Sequence, residues 1–290
     1  MEYVNPLSLK QALEAKRHYG KDAALLAGGT DLLLRVKSGK ESPKALIELN
    51  NLSLNYINLQ EKTLNIGAMT SLSQILKNEH LNKYYGVIGE AAKEVGAAQT
   101  RTLATLGGNI CTGLPSADMA LPLLILDSTV VLSSLEQDRD ISLEEFFFSP
   151  RQTILKNSEI LTEIKVPKPN PAGNSGAVFL KVGKRKAMRL SIVSIALSLD
   201  IDPSNNIIND IKVAMGTVSP LPLRLKEVER LMIGEKLENT LITEAINTLP
   251  SSISPRTSLR ATREYRTYLA KTLFQKALGV ARQRALGGMN

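Results

Sequence analysis

The chain has no tryptophan, one cysteine and two histidines, and each shortage removes a class of function. A single cysteine, Cys111, excludes an internal disulfide and excludes any cysteine-held iron–sulfur cluster or Cys-rich zinc site on this chain. His18 and His80 stand far apart, without a second ligand-type residue at metal spacing, and read as surface residues of helices. Ser-His-Asp, Cys-His and His-metal chemistry are therefore unsupported. With aromatics at 4% and no tryptophan, a base-stacking platform for single strands is disfavoured. No apolar run approaches the roughly eighteen residues of a membrane span. No basic-then-apolar leader opens the sequence, so the expected place is the cytoplasm, without membrane contact. Chemistry on such a chain has to come from a bound organic cofactor.

What is present is an ordinary globular composition, 43% hydrophobic and 22% charged over 290 residues, enough for two or three domains. The net charge of +8 fits an acidic partner or a phosphorylated cofactor. Lys184-Arg185-Lys186 and that charge are the only support for a nucleic-acid-binding protein, and no nucleic-acid motif accompanies them.

Two glycine pairs stand out. In the first, a buried strand over Asp22–Ala27 runs into Gly28-Gly29-Thr30-Asp31. A helix from Leu32 to Val36 follows, capped by Thr30 or Asp31 and stopped by Gly39. Free N–H groups at such a turn suit a phosphate, and a plain strand-to-helix turn fits this segment equally well. The second pair lies in Thr105-Leu106-Gly107-Gly108-Asn109, which reads as a loop whose bare backbone could form an anion-cradling nest. Thr112, Ser116 and Asp118 follow with small polar groups and one fixed charge. Neither pair has the Gly-x-Gly-x-x-Gly spacing, which disfavours a Rossmann fold.

Elsewhere the patterning gives a helix capped by Ser8 and ended by Gly20, with Leu9, Ala12, Leu13 and the Lys16 stem on one face. Strands are expected at 45–49, 64–68, 127–132 and 159–166, and helices from Ser71, over 87–95 and over 120–126, with a short amphipathic piece at 143–148. Lys168-Pro169-Asn170-Pro171-Ala172-Gly173-Asn174 is the breaker cluster that marks a domain boundary. Beyond it lie strands at 177–182, 191–202 and 209–218, then helices at 224–234, 243–248 and 259–285. The order gives an α+β fold: residues 1–170 as one domain, with subdomains of about 1–54 and 55–170, and a smaller α+β domain over 171–290.

Leu26-Ala27-Gly28-Gly29-Thr30-Asp31 and Thr105-Leu106-Gly107-Gly108-Asn109-Ile110 together resemble the flavin-binding subunit of the molybdenum hydroxylases, the family of xanthine, nicotinate and aerobic carbon monoxide dehydrogenases. Gly96–Arg101, Pro115–Asp118, Lys181–Arg185 and Pro255–Arg266 resemble further family segments, in the same order. Met188-Arg189-Leu190 departs from it, since related subunits often carry an acidic residue there. The resemblance implies FAD in a non-Rossmann, two-subdomain domain. Ala24, Leu25, Leu26, Ala27, Gly28, Gly29, Thr30 and Asp31 would hold the pyrophosphate, and Thr105, Leu106, Gly107, Gly108 and Asn109 would form a second cradle. Asp118 would accept from a cofactor hydroxyl or amide, Leu161 would pack on a ring plane, and Lys181 would sit at the polar edge of the isoalloxazine. No catalytic acid, base or metal ligand is implied on this chain, and Cys111 is expected to be a buried, inert residue.

The partners implied are a molybdopterin-binding large subunit and a 2Fe–2S small subunit, as a dimer of heterotrimers, with electrons passing through FAD to NAD⁺. The assembly most resembles xanthine or purine dehydrogenase, through Gly-Asn-Ile-Cys-Thr-Gly and the Arg-rich C-terminal segment. A free-standing flavin oxidoreductase of related fold is the alternative, and it would require acid–base residues around a substrate pocket.

Overall fold

The computed structural model describes residues 1–168, 175–185, 188 and 190–287. Most of the breaker cluster, residues 169–174, lies outside the described residues, as do Lys186 and Arg189. In chain order the elements are β1 (Glu2–Val4), α1 (Leu9–Tyr19), β2 (Ala23–Leu26), α2 (Leu32–Lys37), β3 (Ala45–Glu48), β4 (Ile57–Leu59), β5 (Thr63–Gly67), α3 (Leu72–Lys77), α4 (Glu79–Tyr84), α5 (Gly86–Glu94), α6 (Ala98–Leu103), α7 (Leu106–Cys111) and α8 (Ala120–Ile125). Then come β6 (Thr129–Ser133), β7 (Asp138–Ser142), α9 (Leu143–Phe146), β8 (Phe147–Ser149), β9 (Gln152–Thr153), β10 (Ile160–Pro167), β11 (Ser175–Val182), β12 (Val193–Ile201), β13 (Ile208–Gly216), β14 (Leu223–Arg224), α10 (Lys226–Met232), α11 (Asn239–Ser252) and α12 (Arg263–Ala285). The α+β class is as expected. No described helix is long and apolar enough to cross a membrane.

The elements form two compact units that interleave in sequence. The first comprises 1–77, 97–113 and 127–168. It holds a parallel sheet of order β1-β3-β2 and an antiparallel sheet of order β4-β5-β10-β6-β7. Ser8 caps α1 by accepting from the Gln11 amide, and Gly20 ends it at φ 54°. Ala12 and Leu13 then bury against Ala23 and Ile47 of the parallel sheet and Leu49 just beyond it. β10 is the central strand of the second sheet, and every apolar residue from Ile160 to Val166 is buried. Its register with β6 slips between Leu161 and Glu163, a bulge at Thr162.

At the end of this sheet Glu159, 4% exposed, faces Arg139 of β7 through two bonds of 2.8 and 2.9 Å and accepts from the Lys156 amide at 2.8 Å. Burial pushes its carboxyl up, but Arg139 and that amide more than offset the push and leave it below its ordinary value of 4.5. A carboxylate with a depressed folded pKa stabilises above its unfolded pKa, and loses that contribution as pH falls through the folded one. Glu159→Gln is therefore expected to lower stability by about 1–3 kcal/mol near neutrality. Urea titrations across pH should show the gap to wild type closing below about pH 4.5.

The second unit comprises 78–96, 114–126 and 169–290. Its antiparallel sheet runs β11-β12-β13-β14, with α12 packed along β11 and β12. Of the face expected for α12, Leu269, Leu273 and Ala277 are buried and Val280 is partly buried. α5 packs on β11, and α8 packs on β12 and β13. Arg224 closes this core with bonds to Glu229 at 2.7 and 2.8 Å and to the Leu124 carbonyl at 2.9 Å.

Candidate cofactor site

The two glycine motifs, 79 residues apart in sequence, meet within the first unit. β2 ends at Leu26, whose carbonyl accepts from the Leu49 amide, and the chain turns through Gly28 and Gly29 into α2. A Cβ on Gly28 would lie 1.8 Å from the Leu103 carbonyl oxygen. Gly29 has φ +67°, the left-handed region that glycine reaches without penalty. Among the described residues, the backbone N–H groups of Gly28, Gly29 and Thr30 donate to nothing in the protein. Three adjacent unspent donors on a turn stripped of side chains fit a phosphate group.

The second motif is a short helix, not the expected loop. Thr105 is its N-cap, its hydroxyl accepting from the Gly108 amide at 3.0 Å. The Gly107 amide goes to the Ala68 carbonyl at 2.9 Å and the Asn109 amide to the Thr105 carbonyl at 3.0 Å. Its glycines serve close packing. A Cβ on Gly107 would fall 2.7 Å from that of Ala68, and one on Gly108 would fall 2.8 Å from the Thr105 hydroxyl oxygen and 3.7 Å from the Ala27 Cβ. The β10 bulge sets this seat, because the Thr162 carbonyl accepts from the Ala68 amide at 2.9 Å. The open donors thus belong to the first motif, and a side chain on Gly108 of the second would reach it at Ala27.

Asp31 occupies the N-cap position of α2, but its side chain makes no cap bond. Its carboxylate instead reaches Arg35 and Arg151, each at 3.3 Å. Of the other residues in the first cluster, Ala24 and Leu25 are half-buried in β2 and Leu26 is buried. Leu161, on β10, is 4% exposed.

In the second unit the structure joins Asp118 and Lys181, to which the resemblance gives separate cofactor contacts. The Lys181 ammonium lies 2.5 Å from one Asp118 oxygen and 2.9 Å from the Glu94 carbonyl. The Ser191 hydroxyl donates to the other Asp118 oxygen at 2.6 Å. Burial holds the Asp118 carboxyl above its ordinary value, with Lys181 and Ser191 pulling the other way.

Cys111 corrects an expectation: it is exposed. Ile110 takes the inward position of the last turn of α7 and leaves Cys111 outward. His18 and His80 are exposed on helices, as read. Leu103, Ala68, Arg151 and Ser191 were not found from sequence. Only the Thr105-x-x-Gly108 spacing gave a local sign, that of a helix cap.

This geometry has a match in known proteins. Residues 1–169 fit the family model of the FAD binding domain in molybdopterin dehydrogenase. The chain belongs to that family. Residues 178–281 fit the CO dehydrogenase flavoprotein C-terminal domain. The chain is 33% identical to the glyceraldehyde dehydrogenase medium chain of Sulfolobus acidocaldarius, over 95% of this chain and 96% of the relative. It is 30% identical to a putative xanthine dehydrogenase FAD-binding subunit of Escherichia coli, over 89% and 88%. The structure matches carbon monoxide dehydrogenase from Hydrogenophaga pseudoflava with a TM-score of 0.93 and 28% identity, covering 98% of each chain. It is thus an FAD-binding subunit of the molybdenum hydroxylase type, and the unspent amides at Gly28–Thr30 fit that cofactor's pyrophosphate.

Proposed function

We propose that this FAD subunit takes electrons from 2Fe–2S clusters on a small partner, fed by a molybdopterin-binding large partner, and passes them to NAD⁺ in a xanthine or purine dehydrogenase. Bound FAD supplies the exchange between single electrons arriving from clusters and the hydride taken by NAD⁺. The chain's own contribution is to bind and to orient. Gly28, Gly29 and Thr30 offer three N–H groups to the pyrophosphate charge, and the missing side chains let it approach. Thr105–Asn109 forms the wall behind that turn. What supports Asp118, Leu161 and Lys181 as cofactor contacts is the order of the motifs alone.

The observation that carries the reading is the open donor turn, seated against the second glycine motif. One cysteine on the chain agrees with clusters held by a partner. The purified chain is expected to be yellow, to release FAD on denaturation and to oxidise NADH with an artificial electron acceptor. A folded, colourless protein that takes up no added FAD would overturn the reading, whereas a yellow protein inert to NADH would remove NAD⁺ as acceptor. The 33% identity to a glyceraldehyde dehydrogenase chain favours an aldehyde as a second reading for the assembly's substrate. Turnover of xanthine against glyceraldehyde by the three-subunit complex decides between them.

A further inference from the structure

The segment 255–266 takes no part in the site described above, yet hydrogen bonds tie it down along its length. Ser258 pairs with Ala261 as an isolated bridge, its amide donating to the Ala261 carbonyl at 3.0 Å. Its hydroxyl accepts from the Arg260 amide at 3.2 Å. The Arg263 side chain donates to the Pro255 carbonyl at 3.0 Å, and Lys184 reaches the Leu259 carbonyl at 3.2 Å. Beneath the turn lies Arg266, 4% exposed and without a carboxylate partner among the described residues. It bonds the Ile192 carbonyl, and Ser258 at 2.9 Å, while its Nε is buried with no acceptor. Burial first, and then the like charges of Arg256 and Arg260, push its guanidinium down from its ordinary value.

Burying a cation without a counter-ion to hold a surface turn is costly, so the shape of that turn matters. At its tip Leu259 is 101% exposed, the most exposed large apolar side chain of the described protein. Around it Arg256, Arg260 and Arg263 are exposed and make no ion pair among the described residues, though Arg263 lies close enough to Glu264 to lower its carboxyl. The one acid in the segment, Glu264, is held low by its own amide and the Thr262 hydroxyl at the start of α12. Cations alone would suit any polyanion. An apolar tip on a hydrogen-bonded turn among them gains only where a partner offers an apolar hollow, as a protein surface does and a phosphate backbone does not.

We propose that the turn 255–263 is a docking knob for an acidic protein face with an apolar hollow, on a partner subunit of the oxidoreductase assembly. This rests on reading the chain as one subunit of such an assembly. Leu259 fills the hollow, and Arg256, Arg260 and Arg263 pair with carboxylates around it.

The test uses the full chain co-expressed with the molybdopterin and iron–sulfur subunits of its complex, and measures their association across a salt series by sedimentation. Arg256→Glu/Arg260→Glu and Leu259→Ser should each weaken association about tenfold or more. The charge reversal should also flatten the salt dependence, with FAD content and melting temperature as in wild type. Arg260→Ala, which removes only an exposed side chain, should give a smaller loss in the same direction. Wild-type association by the folded, yellow variants would overturn the proposal. So would finding that the knob binds a second copy of this chain, duplex DNA or phosphatidylserine vesicles in place of the subunits. A chain that lacks FAD yet assembles through this knob would overturn the cofactor reading alone.

Discussion

Gly28→Ala is expected to strip the protein of FAD and to destabilise it by about 3 kcal/mol or more. The new Cβ would stand 1.8 Å from the Leu103 carbonyl oxygen, 2.5 Å from its carbonyl carbon and 3.1 Å from the Ala104 nitrogen. All three atoms are backbone, so no rotamer change makes room. Either the end of α6 withdraws, or the donor turn does and its three amides lose their common aim. Gly29→Ala is the control. Its Cβ meets the far end of the Leu33 side chain at 2.7 Å, which can swing aside. What remains is the left-handed backbone, about 1–2 kcal/mol for a residue with a side chain. Denaturant titration of the apoproteins and the flavin-to-protein ratio should rank Gly28→Ala well below Gly29→Ala, with wild type highest. A Gly28→Ala protein with wild-type stability and a full complement of FAD would remove the steric argument and the site together.

That contrast also shows where sequence reading stops. The first motif was legible because strand, glycine turn and helix are contiguous, so local chemistry implies the open amides. The second reads as a loop for a sound local reason. Two glycines in six residues cost a helix about 1 kcal/mol each. α7 forms nonetheless because Thr105 caps it and Ala68 needs a neighbour without a side chain. Ala68 is 39 residues upstream of Gly107, and nothing in either segment announces the other.

The same division runs through the fold. β10, β12 and α12 bury continuous or periodic apolar faces, and their sequences say so. β7, Asp138-Arg139-Asp140-Ile141-Ser142, is an edge strand with a single apolar residue, Ile141, so its alternation leaves no hydrophobic trace. The sequence pattern shows α11 only over 243–248, yet it runs from Asn239 to Ser252 with Pro250 inside its last turn, supported by buried Leu241, Ala245 and Leu249. Least legible was the interleaving. α4, α5 and α8 belong to the second compact unit although they precede the breaker cluster. Long-range packing assigns them there, and no composition shift marks it.

Lys181→Met is expected to lower stability by roughly 3–5 kcal/mol, the cost of leaving one member of a buried pair without the other. Asp118 would keep only the Ser191 hydroxyl against its burial. Asp118→Asn should also destabilise, because the Lys181 ammonium, its side chain 1% exposed, would lose its counter-charge and keep only neutral oxygens, the Glu94 carbonyl among them. The double variant Asp118→Asn/Lys181→Met removes both charges, and such replacements are often close to neutral. It should therefore recover most of the loss, a coupling that urea denaturation of the four proteins in a cycle measures directly. Additive losses would mean that the two groups do not act as a pair. The recovered double variant then separates shape from cofactor chemistry, since it has the fold without either charge. Weakened FAD retention in it would support the contacts that the resemblance assigns to Asp118 and Lys181. Full retention would make the pair purely a brace between the chain at Asp118 and β11, and leave the cofactor to the glycine turn.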